Sequence, residues 1–273
     1  MSDDLPIVTG ELARRISRAD ARATESRFAG IGGLPGNPLG VSIRRAGSAV
    51  ALTMRHANPP IPNLILGINA EEQDEAAELV RPLVEMRIPF ITNLAPHLAS
   101  SALLDLLRRL GLTQSDFLTE FYGRPRTDSD SLPFGITVQE FHGNNLGRFA
   151  ELVVGMDNVP ASELALWRRV RQAEFAGWRG YIAFVGQEPA ARAAMAVQDG
   201  IAILGFATTL PRWRGRGCQM ALLRRRIADA AELGSELVVS LASPNKTSER
   251  NLQRAGMRVA FTRVEWTPVD VKG

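Results

Sequence analysis

The chain has 273 residues, of which 45% are hydrophobic and 22% are charged, with a formal net charge of +3. This length allows two domains of ordinary size, each with its own core. The single cysteine, Cys218, excludes an internal disulfide and predicts a protein of the reducing cytoplasm, while the acidic N-terminus and the absence of an apolar run near ~18 residues argue against a secretory signal or a membrane span.

Helical and extended patterns alternate along the first half. A helix is predicted over 12–28, and two strands lie within 41–55. The glycine-rich segment 30–40 lacks lysine and holds two prolines, so we interpret it as a surface or lid loop and not as a nucleotide site. Strand, helix, strand, helix and strand then follow at 63–69, 71–86, 88–92, 100–110 and 112–122.

A polar, proline-bounded stretch over 123–133 has the composition of a domain boundary. We therefore predict a first domain at 1–125, a linker at 126–133 and a second domain at 134–273. The second domain begins with a strand over 136–141 and a mostly helical stretch over 144–175. A hairpin follows, with strands at 180–185 and 190–197 around the turn at 186–189.

The most informative segment connects a strand over 201–210 to a helix over 221–233. The connecting turn contains Gly215 and Gly217, which allow backbone amides to point at an anion, and the helix start adds its positive dipole end. Arg212, Arg214 and Arg216 supply charge suited to phosphate oxygens. This pattern predicts a diphosphate site, although solvated arginines on a simple turn remain the alternative. A strand over 237–241 and a short helix from 245 to 256 complete the order.

This order and the turn resemble the GNAT family of acyl-CoA-dependent N-acyltransferases. The family's pyrophosphate signature is Arg or Gln, two residues, Gly, one residue, and Gly or Ala, and Arg214, Gly217 and Gln219 occupy those positions. The resemblance covers roughly 132–266. It departs from the pattern at Gln219, where a small residue is usual.

The resemblance implies an α/β (α+β) fold, with a mixed, mostly antiparallel twisted sheet flanked by helices, and acetyl-CoA as co-substrate. Many members carry a tyrosine that protonates the CoA thiolate where this chain has Leu252. Asn251 beside it is a candidate for bonding the pantetheine or the sulfur, or is a plain helix-surface amide. The implied cofactor-binding residues are Ala207, Thr208, Thr209, Leu210, Arg214, Gly215, Arg216, Gly217, Cys218, Gln219, Met220 and Asn251.

The first half repeats the strand, helix, strand, helix, strand order of the second, so we interpret it as a degenerate copy of the same fold, arranged in tandem with the second half. Between Asn69 and Glu71 it has neither a glycine pair nor an arginine. An acidic helix start would repel a pyrophosphate. We therefore expect CoA to bind only in the second half.

The chemistry needs a base that takes a proton from the amine. Glu140 and His142 at the end of the first strand of the second half are candidates, as are Asp157 and Glu265, although each is also typical of an ion-paired or solvated group. Weaker candidates are His56 and His97. The dispersed histidines give no metal pattern, and we expect no metal.

Charge divides unevenly: residues 1–131 carry a formal −2 and residues 132–273 a formal +5. The sequence predicts an acyl-CoA-dependent N-acetyltransferase that transfers the acetyl group to a small-molecule or peptide amine in a ternary complex, acting as a monomer or homodimer without nucleic acid or membrane. The run of arginines at 224–226 is interpreted as a solvated helix face. The alternatives are a catalytically weak CoA-binding pseudoenzyme or regulatory module and, less favoured, a basic nucleic-acid-binding protein.

Overall fold

The computed structural model describes residues 5–56, 62–127, 135–157 and 159–269. Contacts divide the chain into two compact units. The C-terminal unit comprises Phe121–Arg258 with the N-terminal residues up to Pro6, and the N-terminal unit comprises Ile7–Glu120 with Val259–Gly273. These units differ from the predicted domains because the last strand groups with the N-terminal unit. Most of the predicted linker at 126–133 lies outside the described residues.

The helices and strands follow one another in a regular order. The helices are α1 (Gly10–Gly32), α2 (Gln73–Glu85), α3 (Ser101–Arg109), α4 (Leu146–Met156), α5 (Leu164–Glu174), α6 (Cys218–Glu232) and α7 (Thr247–Arg254). The strands are β1 (Val41–Ala46), β2 (Ala49–Met54), β3 (Leu64–Leu66), β4 (Ile91–Leu94), β5 (Leu112–Gly123), β6 (Ile136–Phe141), β7 (Arg179–Val185), β8 (Glu188–Gln198), β9 (Ile201–Thr209), β10 (Leu237–Ala242) and β11 (Arg258–Pro268).

The sheet of the N-terminal unit has the strand order β1-β2-β3-β4-β11-β5. β1, β2 and β3 are antiparallel neighbours, β3 and β4 run parallel, and β4 is antiparallel to β11. Helix α1 begins where the Thr9 hydroxyl accepts a hydrogen bond from the Leu12 amide, and it runs three residues into the segment 30–40 predicted as a loop. Its apolar face includes Ile16, Ala19 and Ala23, which are buried at helical spacing.

The sheet of the C-terminal unit has the strand order β10-β9-β8-β7-β6. β6, β7, β8 and β9 are antiparallel neighbours, and β9 runs parallel to β10. The predicted helical stretch at 144–175 is broken into α4 and α5 around Pro160. Helix α6 buries Ala221, Leu222 and Ile227 in the core of this unit. The two units therefore share a pattern, since β3-α2-β4-α3-β5 repeats as β9-α6-β10-α7-β11.

Candidate functional site

The turn between β9 and α6 presents backbone donors at a helix N-terminus. Gly215 and Gly217 have φ angles of +77° and +89°, a region that glycine adopts without steric cost. Gly217 precedes α6, and no side chain caps the helix there. Among the backbone hydrogen bonds of the described residues, the amides of 215–220 donate to no carbonyl. The turn therefore offers several unpaired N–H groups and the positive end of α6 to an anion.

Two arginines at this turn are available to bind an anion. Arg214 and Arg216 are exposed and have no carboxylate partner within the part of the chain that the structure describes. The Arg216 guanidinium lies over the Trp213 ring, 4.9 Å from its centroid, which holds the cation at the turn. Arg212 instead bonds to Glu188 at 3.0 Å. The available positive charge is thus concentrated on Arg214 and Arg216.

Strand β9 carries a bulge just before the turn. Arg192 of β8 is opposite Thr208, and Ala194 is opposite Gly205, so β9 has one residue more than β8 over this stretch. Phe206 lies in the bulge with a φ of +58°, unusual for a residue with a side chain, and its ring packs edge-on against Phe175. β10 pairs with β9 only over Ile201–Ile203, so the exposed segment 206–208 has no neighbouring strand on that side among the described residues.

A buried arginine holds the bulge. Arg226 of α6 is 2% exposed and donates to the carbonyls of Ala194 and Gly205 at 3.1 and 3.2 Å, as well as to Leu222 of its own helix. Burial lowers the pKa of Arg226 to about 10. The prediction that the arginine run 224–226 is a solvated helix face is therefore wrong for Arg226. The sequence spacing indicates this burial, since Leu222, Arg226 and Ala230 share one face of the helix.

Helix α7 contacts the turn through Asn251. The Asn251 amide donates to the side-chain oxygen of Gln219 at 2.7 Å, which joins α7 to the first turn of α6. This bond leaves the amide nitrogen of Gln219 available to a ligand. The structure thus brings Asn251 and Gln219 to the same place as the glycine turn.

Leu252 does not face an open site. It is 5% exposed and belongs to the hydrophobic core of the C-terminal unit. The short helix α7 directs this side chain into the core, and its position relative to a CoA sulfur stays a prediction.

We predict that Leu252→Tyr destabilises the protein by about 1–3 kcal/mol, because a larger, polar side chain must enter a packed core. Denaturant unfolding measures this change. Gln253→Tyr places the same side chain at an exposed neighbour and is expected to change the free energy of unfolding by less than about 0.5 kcal/mol. Native stability of Leu252→Tyr together with faster acetyl transfer would place residue 252 at the sulfur instead.

The other predicted site residues lie in different settings. Cys218 is 2% exposed, and burial raises the pKa of its thiol, which suits a packing residue whose amide belongs to the turn. Glu140 is bonded by Arg179 and by Arg225, two helical turns along α6 from the glycine turn. His142 is an exposed cap of a short helical turn. The contacts of Glu140 favour a structural ion pair, and the base assignments stay predictions.

Three further candidates also have defined surroundings. Asp157 accepts hydrogen bonds from Arg171 and Arg192, at 3.0 and 2.7 Å. Burial, followed by the nearby Asp116, raises the pKa of Glu265, which lies in the N-terminal unit. His56 is exposed in the same unit. Within the described ranges, no group of three or more His, Cys, Asp or Glu residues is arranged to hold a metal.

In the corresponding turn of the N-terminal unit, between β3 and α2, the amides of 70–72 are occupied. Asn69 Oδ1 accepts from the amides of Glu71 and Glu72 at 2.8 and 3.2 Å, and the Ala70 amide donates to Leu98. The Glu72 carboxylate accepts a hydrogen bond from the Ser48 amide at 2.8 Å. Hydrogen bonds from the Ser48 hydroxyl, the Ser48 amide and the Asn69 side chain together lower the pKa of Glu72. The amides just before α2 are thus bonded within the protein, and the first turn of this helix is acidic, which disfavours an anion.

Comparison with known proteins gives likenesses in structure but not in sequence. No family model and no curated protein matches the sequence. A GCN5-related N-acetyltransferase from Kribbella flavida is similar in structure, with a TM-score of 0.65, 15% identity, and coverage of 94% of this chain and 96% of that one. A tandem GNAT protein from the clavulanic acid biosynthesis pathway gives a TM-score of 0.60 at 14% identity, covering 95% and 94%.

A third solved structure is also similar over nearly the whole chain. A GCN5-related N-acetyltransferase from Sphaerobacter thermophilus gives a TM-score of 0.56 at 16% identity, covering 94% of this chain and 90% of that one. The chain therefore has the fold of the GCN5-related N-acetyltransferases. More particularly, it has the tandem form of that fold, as the sequence predicted. In the described residues, no helix has the length and apolar character needed to cross a membrane.

Proposed function

We propose that this protein is an acetyl-CoA-dependent N-acetyltransferase whose active site lies in the C-terminal unit. The observation that carries the proposal is the turn at 215–220, where the amides at the start of α6 have no backbone acceptor and the exposed Arg214 and Arg216 lie in the same turn. A CoA pyrophosphate would satisfy these donors without displacing any bond within the protein. The fold shared with GNAT acetyltransferases supports this assignment.

The exposed segment of β9 suits the pantetheine arm. Its amide groups can bond an extended ligand in the manner of an added strand, because β10 has already separated from β9 there. A thioester carbonyl placed beside the bulge would meet the backbone of 207–209, since the Leu210 amide already donates to the Ala190 carbonyl at 2.9 Å. We assign Ala207, Thr208, Thr209 and Leu210 to this part of the site, and Asn251 and Gln219 to the junction with the phosphates.

The reaction would be a direct transfer in a ternary complex. The amine nitrogen attacks the thioester carbon, the C–S bond breaks, and the amine loses a proton while the CoA thiolate gains one. With Leu252 in the core, a side-chain acid at that position is unavailable, so the thiolate would take its proton from water, from the amine or from another residue.

The decisive measurement is thiol release from acetyl-CoA in the presence of amino acids, polyamines, aminoglycosides and peptides. We expect amine-dependent release with at least one of these classes. A CoA-binding pseudoenzyme is the second candidate, favoured by the burial of Leu252 and by the arginines that occupy Glu140. It would bind CoA by calorimetry yet release no thiol with any amine, which would contradict the enzyme assignment.

A further inference from the structure

The N-terminal unit contains a cavity of about 490 Å³. β3 and β4 pair only at Leu64 with Ile91 and at Ile65 with Thr92. Beyond these pairs, Gly67 and Asn93 line the cavity, which therefore lies at the carboxyl ends of two parallel strands. Helix α1 supplies another wall. Parallel strands that part in this way commonly leave a ligand crevice.

The α1 wall carries uncompensated positive charge. Arg14 and Arg18 lie one helical turn apart, both line the cavity, and both are exposed. Neither forms an ion pair with any residue that the structure describes. Arg45 is different, because it bonds to Glu25, and Arg263 bonds to Asp20 and to Glu120. A bound anion would therefore meet two arginines that form no ion pair with a described residue, in a cavity that Asp20, Glu25, Glu71 and Glu72 also line.

The inner surface holds buried polar atoms that lack partners. Asn93 Oδ1 and Arg263 Nε are both buried without a hydrogen bond, and the Arg263 side chain is 5% exposed. His97 shares a hydrogen bond with the Ser17 hydroxyl at 3.2 Å. Burial first, with Arg263 and Arg14 adding, lowers the pKa of His97 to about 4, so its ring is neutral at pH 7. Because Asn93 lines the cavity, a small rotation of its side chain would bring this buried acceptor to a ligand that donates a hydrogen bond.

The cavity is not suited to CoA. The amides of Ala70, Glu71 and Glu72 already have acceptors, and the acidic residues Glu71 and Glu72 line the cavity. Two negative groups would repel each other across this turn. The remaining features call for a smaller ligand that has one anionic group.

We propose that the N-terminal unit binds a small organic acid that carries a hydroxyl or amino donor, with its carboxylate on Arg14 and Arg18 and its donor directed toward Asn93. This site is separate from the acetyl-transfer site and does not depend on the function proposed for the C-terminal unit. Bidentate bonding of a carboxylate by arginine supplies the anchor. The cavity has room for a ligand of this size.

The three histidines of the chain provide a local test by NMR of the full-length protein. His97 lines the cavity, whereas His56 and His142 do not. We expect glycolate, L-malate, citrate or L-glutamate to shift the ring signals of His97 while leaving those of His142 unchanged. L-malamide, which has the shape of malate without its charge, and inorganic sulfate are the matched probes. Equal shifts with either of them, or no shift with any acid, would overturn the proposal.

Two variants and one titration complete the test. Arg14→Ala/Arg18→Ala is expected to raise the Kd of the binding acid at least about tenfold. Arg44→Ala, an exposed arginine of the same unit outside the cavity, is the control and is expected to change it little. Calorimetry with CoA is expected to saturate at one equivalent per chain without shifting His97. Saturation at two equivalents, or equal affinity in the double variant, would contradict an acid site in this unit.

Discussion

Arg214→Glu is expected to weaken CoA binding by at least about tenfold. A hydrogen bond between a guanidinium and a phosphate contributes about 1.5–3 kcal/mol, and charge reversal adds repulsion at the helix N-terminus. Solvent screening at this exposed turn keeps the expected effect near the lower end of that range. Calorimetric titration with CoA measures the change directly.

The matched control for this variant is Arg168→Glu. Arg168 lies on α5 in the same unit, is exposed, and has no hydrogen bond or ion pair with a described residue. Arg168→Glu changes the net charge by the same amount as Arg214→Glu. A loss of CoA affinity caused only by long-range charge would therefore appear in both variants. Native affinity in a folded Arg214→Glu protein would rule out the proposed placement of the pyrophosphate.

Arg226→Met is expected to lower the free energy of unfolding by about 2 kcal/mol or more. Two opposing effects meet at this residue. Holding the charge in the core has a cost, which the lowered pKa of about 10 reflects. The three hydrogen bonds that Arg226 donates contribute about 1.5–3 kcal/mol each, and their loss leaves the Ala194 and Gly205 carbonyls without this donor. We expect the bonds to outweigh the burial cost.

Denaturant unfolding tests this expectation, with Arg168→Met as the control for removing a surface arginine. Arg226→Met is also expected to reduce CoA affinity, because the Gly205 carbonyl is next to the bulge at Phe206 and helps to fix the backbone of β9. Arg226→Lys keeps the positive charge but replaces the planar guanidinium by a single ammonium, which cannot make the same set of hydrogen bonds. This variant therefore separates the effect of the charge from that of the hydrogen-bond geometry. Unaltered stability and affinity in the methionine variant would mean that the bulge holds its shape without this residue.

The parts that the sequence predicted well are those governed by local patterns. The glycines at 215 and 217, the helical spacing of α6 and the strand before the turn are all short-range features, and the structure has them in the predicted order. The repeat of strand and helix order likewise predicted a tandem fold. Helix limits differed by a few residues, as at α1, where the Thr9 cap and the end at Gly32 lay just outside the predicted range.

The features that the sequence did not predict depend on distant residues. Burial of Arg226 requires carbonyls from two strands, and an arginine run alone does not show which member faces them. The side chain of Leu252 points inward because of the packing of α7 in the core. The cavity of the N-terminal unit is lined by residues from Arg14 to Arg263, so no short segment carries its pattern.

The placement of β11 has a consequence for how the polypeptide acquires its structure during synthesis. Val259–Pro268 completes the sheet of the N-terminal unit, and Arg263 bonds to Asp20, 243 positions earlier. The ribosome must therefore make the whole C-terminal unit before the N-terminal unit can gain this strand. Long-range contacts of this kind slow folding, because a large loop must close first. Expressing residues 1–125 alone would leave β4 without its partner along the edge that β11 covers.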